Sequence, residues 1–217
     1  MGNLGEKHII KTYKVLSLLL RYPDDYLKKL CAAGECSRAI NEDGLLGGSV
    51  LSDLEKLFLY ISSTDLLILQ ESYVSLFDRQ QAFSLYLFEH VHGDSRDRGQ
   101  ALVDLGNVYK ASNLDIKTNE LPDYIPLFVE YLSLLSLNEA GIFLSEPINI
   151  LAIIGRRLQC YGSLYCSVFF ALEFLSIVKP DENVVQDAVV SARGLKITTV
   201  GDSTDMVWEE EPVFVNK

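Results

Sequence analysis

Basic residues are scarce in this chain: 19 lysines and arginines stand against 30 acids over 217 residues, a formal net charge of −11. Neutralising phosphates takes a basic stripe, so this scarcity excludes a general nucleic-acid binder. Cysteines are few as well. The four, Cys31, Cys36, Cys160 and Cys166, are too irregularly spaced for a disulfide framework and read as reduced thiols of a cytoplasmic protein. No secretory signal is visible, because the apolar stretch Val15 to Leu20 begins late and no small-residue cleavage site follows it. The phosphate-cradling G-x-x-x-x-G-K, the G-x-S-x-G elbow and a strand-borne G-x-G-x-x-G are all missing, which removes the common nucleotide and hydrolase sites. Strand alternation is nearly absent before residue 187.

What remains is apolar and helical. With 48% hydrophobic residues the chain is far from a disordered composition, and its length suits one domain that buries about 70% of its unfolded surface. Leu54, Leu57, Phe58 and Ile61 fall at i, i+3, i+4 and i+7 behind Ser52-Asp53-Leu54-Glu55, which reads as a capping box. Phe128, Tyr131, Leu132 and Leu135 repeat that spacing on a helix starting near Asp123, where Pro126 is tolerated in the first turn. Similar stripes run through Ile9 to Leu20, Leu66 to Phe77, Leu102 to Tyr109, Ile148 to Leu158 and Leu164 to Leu175.

Leu158–Val178 carries only Glu173 as a charge, but Gly162-Ser163 interrupts it with a turn, so it reads as a buried core helix and not as a membrane span. The fold expected is all-α: a single compact domain over residues 1–180, of eight to ten helices, followed by a mobile acidic tail over 181–217. A short sticky element in that tail is expected around Trp208 and Phe214. Residues 31–180 carry a balance of −9 and residues 181–217 one of −5, so the body is acidic in its own right and favours cationic partners over anionic lipid.

The densest polar cluster is Glu89-His90-Val91-His92-Gly93-Asp94-Ser95-Arg96-Asp97-Arg98. On a helix ending near His92, positions 90 and 92 point about 200° apart, which is poor geometry for one ion. Arginines beside Asp94 and Asp97 hold those carboxyls ionised and unsuited to general acid work. A hydrogen-bonded, ion-paired junction accounts for the cluster; a metal-dependent hydrolase or sensor using His90, His92 and neighbouring carboxylates is the alternative. Apolar residues on both sides, Leu85, Leu87, Phe88 and Val91 before and Leu102, Val103 and Leu105 after, suit a groove with an apolar floor and a charged rim that takes a basic amphipathic peptide.

The run from Ser84-Leu85-Tyr86-Leu87-Phe88-Glu89-His90-Val91-His92-Gly93-Asp94 through Leu105 resembles the signature of the NarJ-type chaperones, the delta-subunit proteins of respiratory nitrate reductase. Glu120-Leu121-Pro122-Asp123-Tyr124-Ile125-Pro126 resembles the family's second signature, and Leu20-Arg21-Tyr22-Pro23 and Trp208-Glu209-Glu210-Glu211-Pro212 are similar to weaker family features. The likeness covers most of residues 10–180. Tyr86 stands where a histidine is common in the family, and Tyr124 replaces the histidine of the wider superfamily's E-P-x-D-H motif, so contacts that need those rings do not carry over.

The resemblance implies an all-helical cytoplasmic protein without catalytic activity. It implies binding of the apo catalytic (alpha) subunit of nitrate reductase, partly through that subunit's N-terminal leader-like segment, until the molybdenum–guanine dinucleotide cofactor is inserted. The cofactor is then handled by the client, with no cofactor stably bound to the chaperone, and cofactor delivery proteins are further candidate partners. The groove expected from residues and resemblance together has Tyr73, Phe77 and Phe88 at its floor and Glu89, Asp94, Asp97, Glu120 and Asp123 at its rim. His90, His92, Arg96, Arg98, Pro122 and Tyr124 complete the candidate client-binding set.

Overall fold

The computed structural model describes residues 9–91, 96–112, 114 and 120–192. Eleven α-helices account for most of them, and no strand occurs among the described residues beyond one isolated bridge. The first three helices are α1 (Lys11–Leu19), α2 (Asp25–Ala32) and α3 (Glu35–Asp43), and the long α4 (Gly48–Ser63) and short α5 (Leu66–Tyr73) follow. A π-helical turn Val74–Asp78 and two 3-10 turns, Gln81–Phe83 and Leu87–His90, lead to α6 (Arg96–Ala111). The C-terminal half contains α7 (Ile125–Leu132), α8 (Leu137–Ser145), α9 (Ile148–Tyr161), α10 (Cys166–Leu175) and α11 (Glu182–Ala192).

The stripe Leu54, Leu57, Phe58 and Ile61 is buried, as its spacing requires. Ser52, however, lies inside α4 and not at its start, because the helix begins at Gly48. The capping box is found instead at Ser136 and Glu139, at the head of α8. A local motif fits any position where the spacing occurs; the helix extends past Ser52 because the preceding turn, with Val50 and Leu51, also packs on the core.

The core runs through α1, α4, α7, α9 and α10. α1 lies on α7, where the Ser17 hydroxyl donates to the Pro126 carbonyl at 2.7 Å and Lys14 pairs with Glu130. α9 and α10 form a tight hairpin. Gly162, at φ +82°, ends α9 in the left-handed conformation that glycine adopts without strain, so the apolar run is broken there as expected. Midway along the hairpin a Cβ on Gly155 would stand 2.9 Å from the Cβ of Phe169, so the missing side chain sets how closely the two helices approach. No single helix of the described residues is long and apolar enough to cross a membrane.

Pro180 does not end the helical body. α11 follows it, capped by Asp181, whose carboxylate accepts from the backbone of Asn183 at 2.9 Å. Its Val185 and Val189 are buried against Ala152 of α9, and Arg157 donates to the Ala188 carbonyl at 3.2 Å. An i, i+4 valine pair is a weak signal on a short helix whose neighbouring Val184 and Val190 blur the buried face, which is why the sequence pattern reads as tail. The expected sticky element at Trp208 and Phe214 lies outside the described residues.

Candidate functional site

The two signature segments meet. Tyr86 and Tyr124 form an antiparallel bridge: Leu87 N donates to Asp123 O at 3.0 Å, and Ile125 N donates to Leu85 O at 2.8 Å. Their rings pack at 5.4 Å between centroids, and the Tyr86 hydroxyl donates to Glu120 at 2.6 Å. Beneath them the Asp123 carboxylate accepts from Phe88 N at 3.0 Å. Side chain and carbonyl of Asp123 thus satisfy the first two free donors of the Leu87–His90 turn, from 35 residues away. Arg98 of α6 reaches Glu89 at 3.4 Å, and Glu89 also accepts from the Ser84 hydroxyl. Tyr109 of α6 donates to the Pro122 carbonyl at 2.9 Å.

These contacts correct several expectations. The segment before Gly93 is a 3-10 turn and not a helix ending near His92. Asp123 is 0% exposed and belongs to no rim. Burial pushes its carboxyl pKa above the usual range, and its second oxygen has no hydrogen-bond partner among the described residues. Nor does it cap its own helix, whose N-cap is Tyr124 without a side-chain bond. His90 is committed to the chain as well: Nε2 lies 2.9 Å from the Ser84 carbonyl, and burial lowers its pKa. No group of three or more His, Cys, Asp or Glu residues converges on an ion site among the described residues.

Glu120 and Asp97 are exposed, Phe88 and Arg98 half-buried, and Arg96 is the first residue of α6. His92 and Asp94 lie outside the described residues.

Tyr73 and Phe77 are buried where the expected groove would have shown them open. The Tyr73 hydroxyl donates to the Leu20 carbonyl at 2.7 Å and approaches the Tyr124 hydroxyl at 3.4 Å. Phe77 packs on Tyr73 at 4.8 Å and edge-on against Tyr165 at 5.1 Å. They form the layer beneath a cleft that the sequence reading missed. That cleft, of about 1090 Å³, runs between α5 with its π turn and the turn joining α9 to α10. Its lining is mixed: Tyr22, Leu67, Ile68, Leu76, Leu164 and Tyr165 form apolar stretches, Gln70, Ser72, Ser75 and Ser163 polar ones, and Glu71 and Arg79 are the charged residues among those described. Leu67, Ile68 and Tyr22 are 69%, 56% and 51% exposed.

One signal for the cleft was present. Leu66-Leu67-Ile68-Leu69 is a continuous apolar run on an eight-residue helix of which only Leu69 and Tyr73 are buried. Such a run is wider than one buried face needs.

Among the described residues, no hydrogen-bonded nucleophile–base pair lines the cleft, whose exposed side chains offer contact surface. The helical body has the fold of a solved structure from Archaeoglobus fulgidus, described as a redox enzyme maturation protein, which superposes with a TM-score of 0.53 over 79% of this chain and 96% of its own, at 22% identity. The nitrate reductase delta subunit family matches residues 48–152. The nitrate reductase molybdenum cofactor assembly chaperone NarJ of Escherichia coli (strain K12) is 39% identical over 205 residues, 92% of this chain and 82% of that protein. NarW of the same strain, described as a chaperone of the same kind, is 37% identical over 204 residues, 92% of this chain and 81% of its own. The chain belongs to this family of nitrate reductase molybdenum cofactor assembly chaperones, which are not enzymes. A metal-dependent hydrolase or sensor built on His90 and His92 finds no support.

Proposed function

We propose that this protein holds the apo catalytic subunit of a respiratory nitrate reductase in the cytoplasm, gripping its N-terminal leader-like segment while the molybdenum cofactor is inserted. The observation that carries the reading is the cleft over α5 with its exposed leucine and isoleucine, on a chain of assembly-chaperone family. Leu67, Ile68, Tyr22 and Leu164 present apolar side chains to it, and no described element covers them. A leader with apolar anchors buries them there, at roughly 1.5 to 3 kcal/mol for each large side chain fully covered.

The acidic body acts at longer range. A net charge of −9 over residues 31–180 raises the encounter rate of a basic leader at low salt, while the apolar anchors set how long it stays. Exposed Glu120 and Asp97 remain candidate rim acids, and Phe88 a candidate anchor beside them. Tyr73 and Phe77 support the cleft through Tyr165, and Asp123 holds the turn that carries Phe88. The molybdenum–guanine dinucleotide stays with the client in this reading, and cofactor delivery proteins meet the client–chaperone complex.

Titration calorimetry with a synthetic leader peptide of a nitrate reductase catalytic subunit tests the reading. Binding that weakens in Leu67→Ser/Ile68→Ser and with rising salt supports it. Absence of binding to the folded protein removes it, and unchanged affinity in Glu120→Gln takes that acid out of the rim.

A further inference from the structure

Cys31 is the seventh residue of α2 and Cys36 the second of α3, and the turn between them folds back through Gly34 at φ +71°. That left-handed glycine brings the two thiols together: Sγ to Sγ is 3.8 Å, both side chains are buried, and neither is bridged. Nothing in the packing requires a thiol pair here, since two small apolar residues would fill the same space without burying polarisable, oxidisable sulfur. Disulfide formation asks that the sulfurs close from 3.8 Å to roughly 2 Å.

We propose that Cys31 and Cys36 are a reversible dithiol–disulfide pair, oxidised by a peroxide, that reports the redox state of the surroundings to the wall of the cleft.

The two sulfurs are not equivalent. Either sulfur can donate at 3.8 Å; with Cys31 as the donor, its S–H holds the Cys36 pKa low and its own high. The Cys36 thiolate attacks one oxygen of hydrogen peroxide and the O–O bond breaks. Cys36 becomes a sulfenic acid, and the departing hydroxide takes a proton from solvent as water. The Cys31 sulfur then attacks Cys36 Sγ, the S–O bond breaks, and the hydroxide leaves with the Cys31 proton as a second water. The two thiols lose two electrons and two protons, and the peroxide takes both. Exposed residues 32–34 form the turn, so local opening there admits a molecule as small as peroxide. A disulfide of this kind in a cytoplasmic protein is of the transient, sensing class.

Cys31 lies on α2, which packs on α4, and Tyr60 of α4 forms part of the cleft wall. Drawing the sulfurs together therefore displaces the packing behind that wall and changes leader affinity, a step that rests on the client-binding reading above.

The test uses the full-length protein, reduced, exposed to hydrogen peroxide, alkylated and cut with trypsin. Lys29 and Arg38 bracket one peptide, Leu30–Arg38, that contains both thiols. It is expected to lose two hydrogens, to take up no alkyl group, and to regain two alkylation sites after dithiothreitol. A peptide that keeps both alkyl groups while exposed Cys160 oxidises overturns the pair. In Cys31→Ala, a dimedone adduct is expected on Cys36, and its absence overturns the order of attack. Leader-peptide calorimetry on the reduced and oxidised forms separates the two claims. No binding to the reduced form removes the client reading; binding that is equal in both forms removes the redox control and leaves the client reading standing; a several-fold difference supports the control.

Discussion

The clasp that ties residues 84–90 to 120–125 and the cleft along α5 differ in what closes them. The clasp is shut by its own chain: a backbone bridge, a buried carboxylate on a turn, two packed tyrosines and an Arg98–Glu89 pair. Along the cleft leucine and isoleucine face outward, and no described element lies over them. Family signatures fall on the clasp. The residues most distinctive in sequence therefore hold the frame, while the open surface is made of common apolar residues whose only peculiarity is that they are uncovered.

The largest effect is expected from breaking the clasp. Asp123→Ala strands the Phe88 N–H inside the protein and should cost about 2 kcal/mol in urea unfolding. A stability unchanged by this substitution would break the comparison at its root. The cleft should respond the opposite way. Leu67→Ser/Ile68→Ser should leave unfolding within about 0.5 kcal/mol of the parent but weaken leader binding about tenfold, since both side chains are already exposed before the peptide arrives. Next comes Tyr86→Phe, which removes only the bond to Glu120 near the surface. It should lower stability by at most about 1 kcal/mol, and equal loss in Glu120→Gln would show that the pair acts as one unit.

The smallest effect concerns pH. Asp123 has its folded pKa raised by burial, so its contribution to stability is fully present below the ordinary carboxylate pKa and is lost as pH rises through the raised folded value. Melting temperatures of the parent and of Asp123→Asn, followed upward from pH 4, should diverge over that interval and run parallel above it. Parallel curves throughout would show that the carboxyl is not held out of water as its burial indicates.

Legibility followed periodicity. The stripes on α1, α4, α7 and α9 were readable because each repeats one apolar face over two turns or more, and Gly162 was readable because glycine after such a stripe ends a helix. The capping box at Ser52 was misleading because the motif is only four residues long, and α11 was overlooked because two valines are all it buries. Asp123 looked like a rim acid since acids are usually exposed. Its burial depends on a turn that arrives from 35 residues earlier in the chain, and no spacing within its own segment records that.

By itself the sequence determined the helical class, the acidic body, the break at Gly162 and, through its signature runs, the resemblance to the NarJ-type chaperones. These are properties of composition and of neighbours within a turn or two. Only the tertiary structure decided that Asp123 is buried, that Tyr73 and Phe77 lie beneath a surface, that Cys31 meets Cys36, and that the cleft opens along α5. Each of those depends on which distant segments cover a side chain, and exposure is a property of the packed chain, not of the residue.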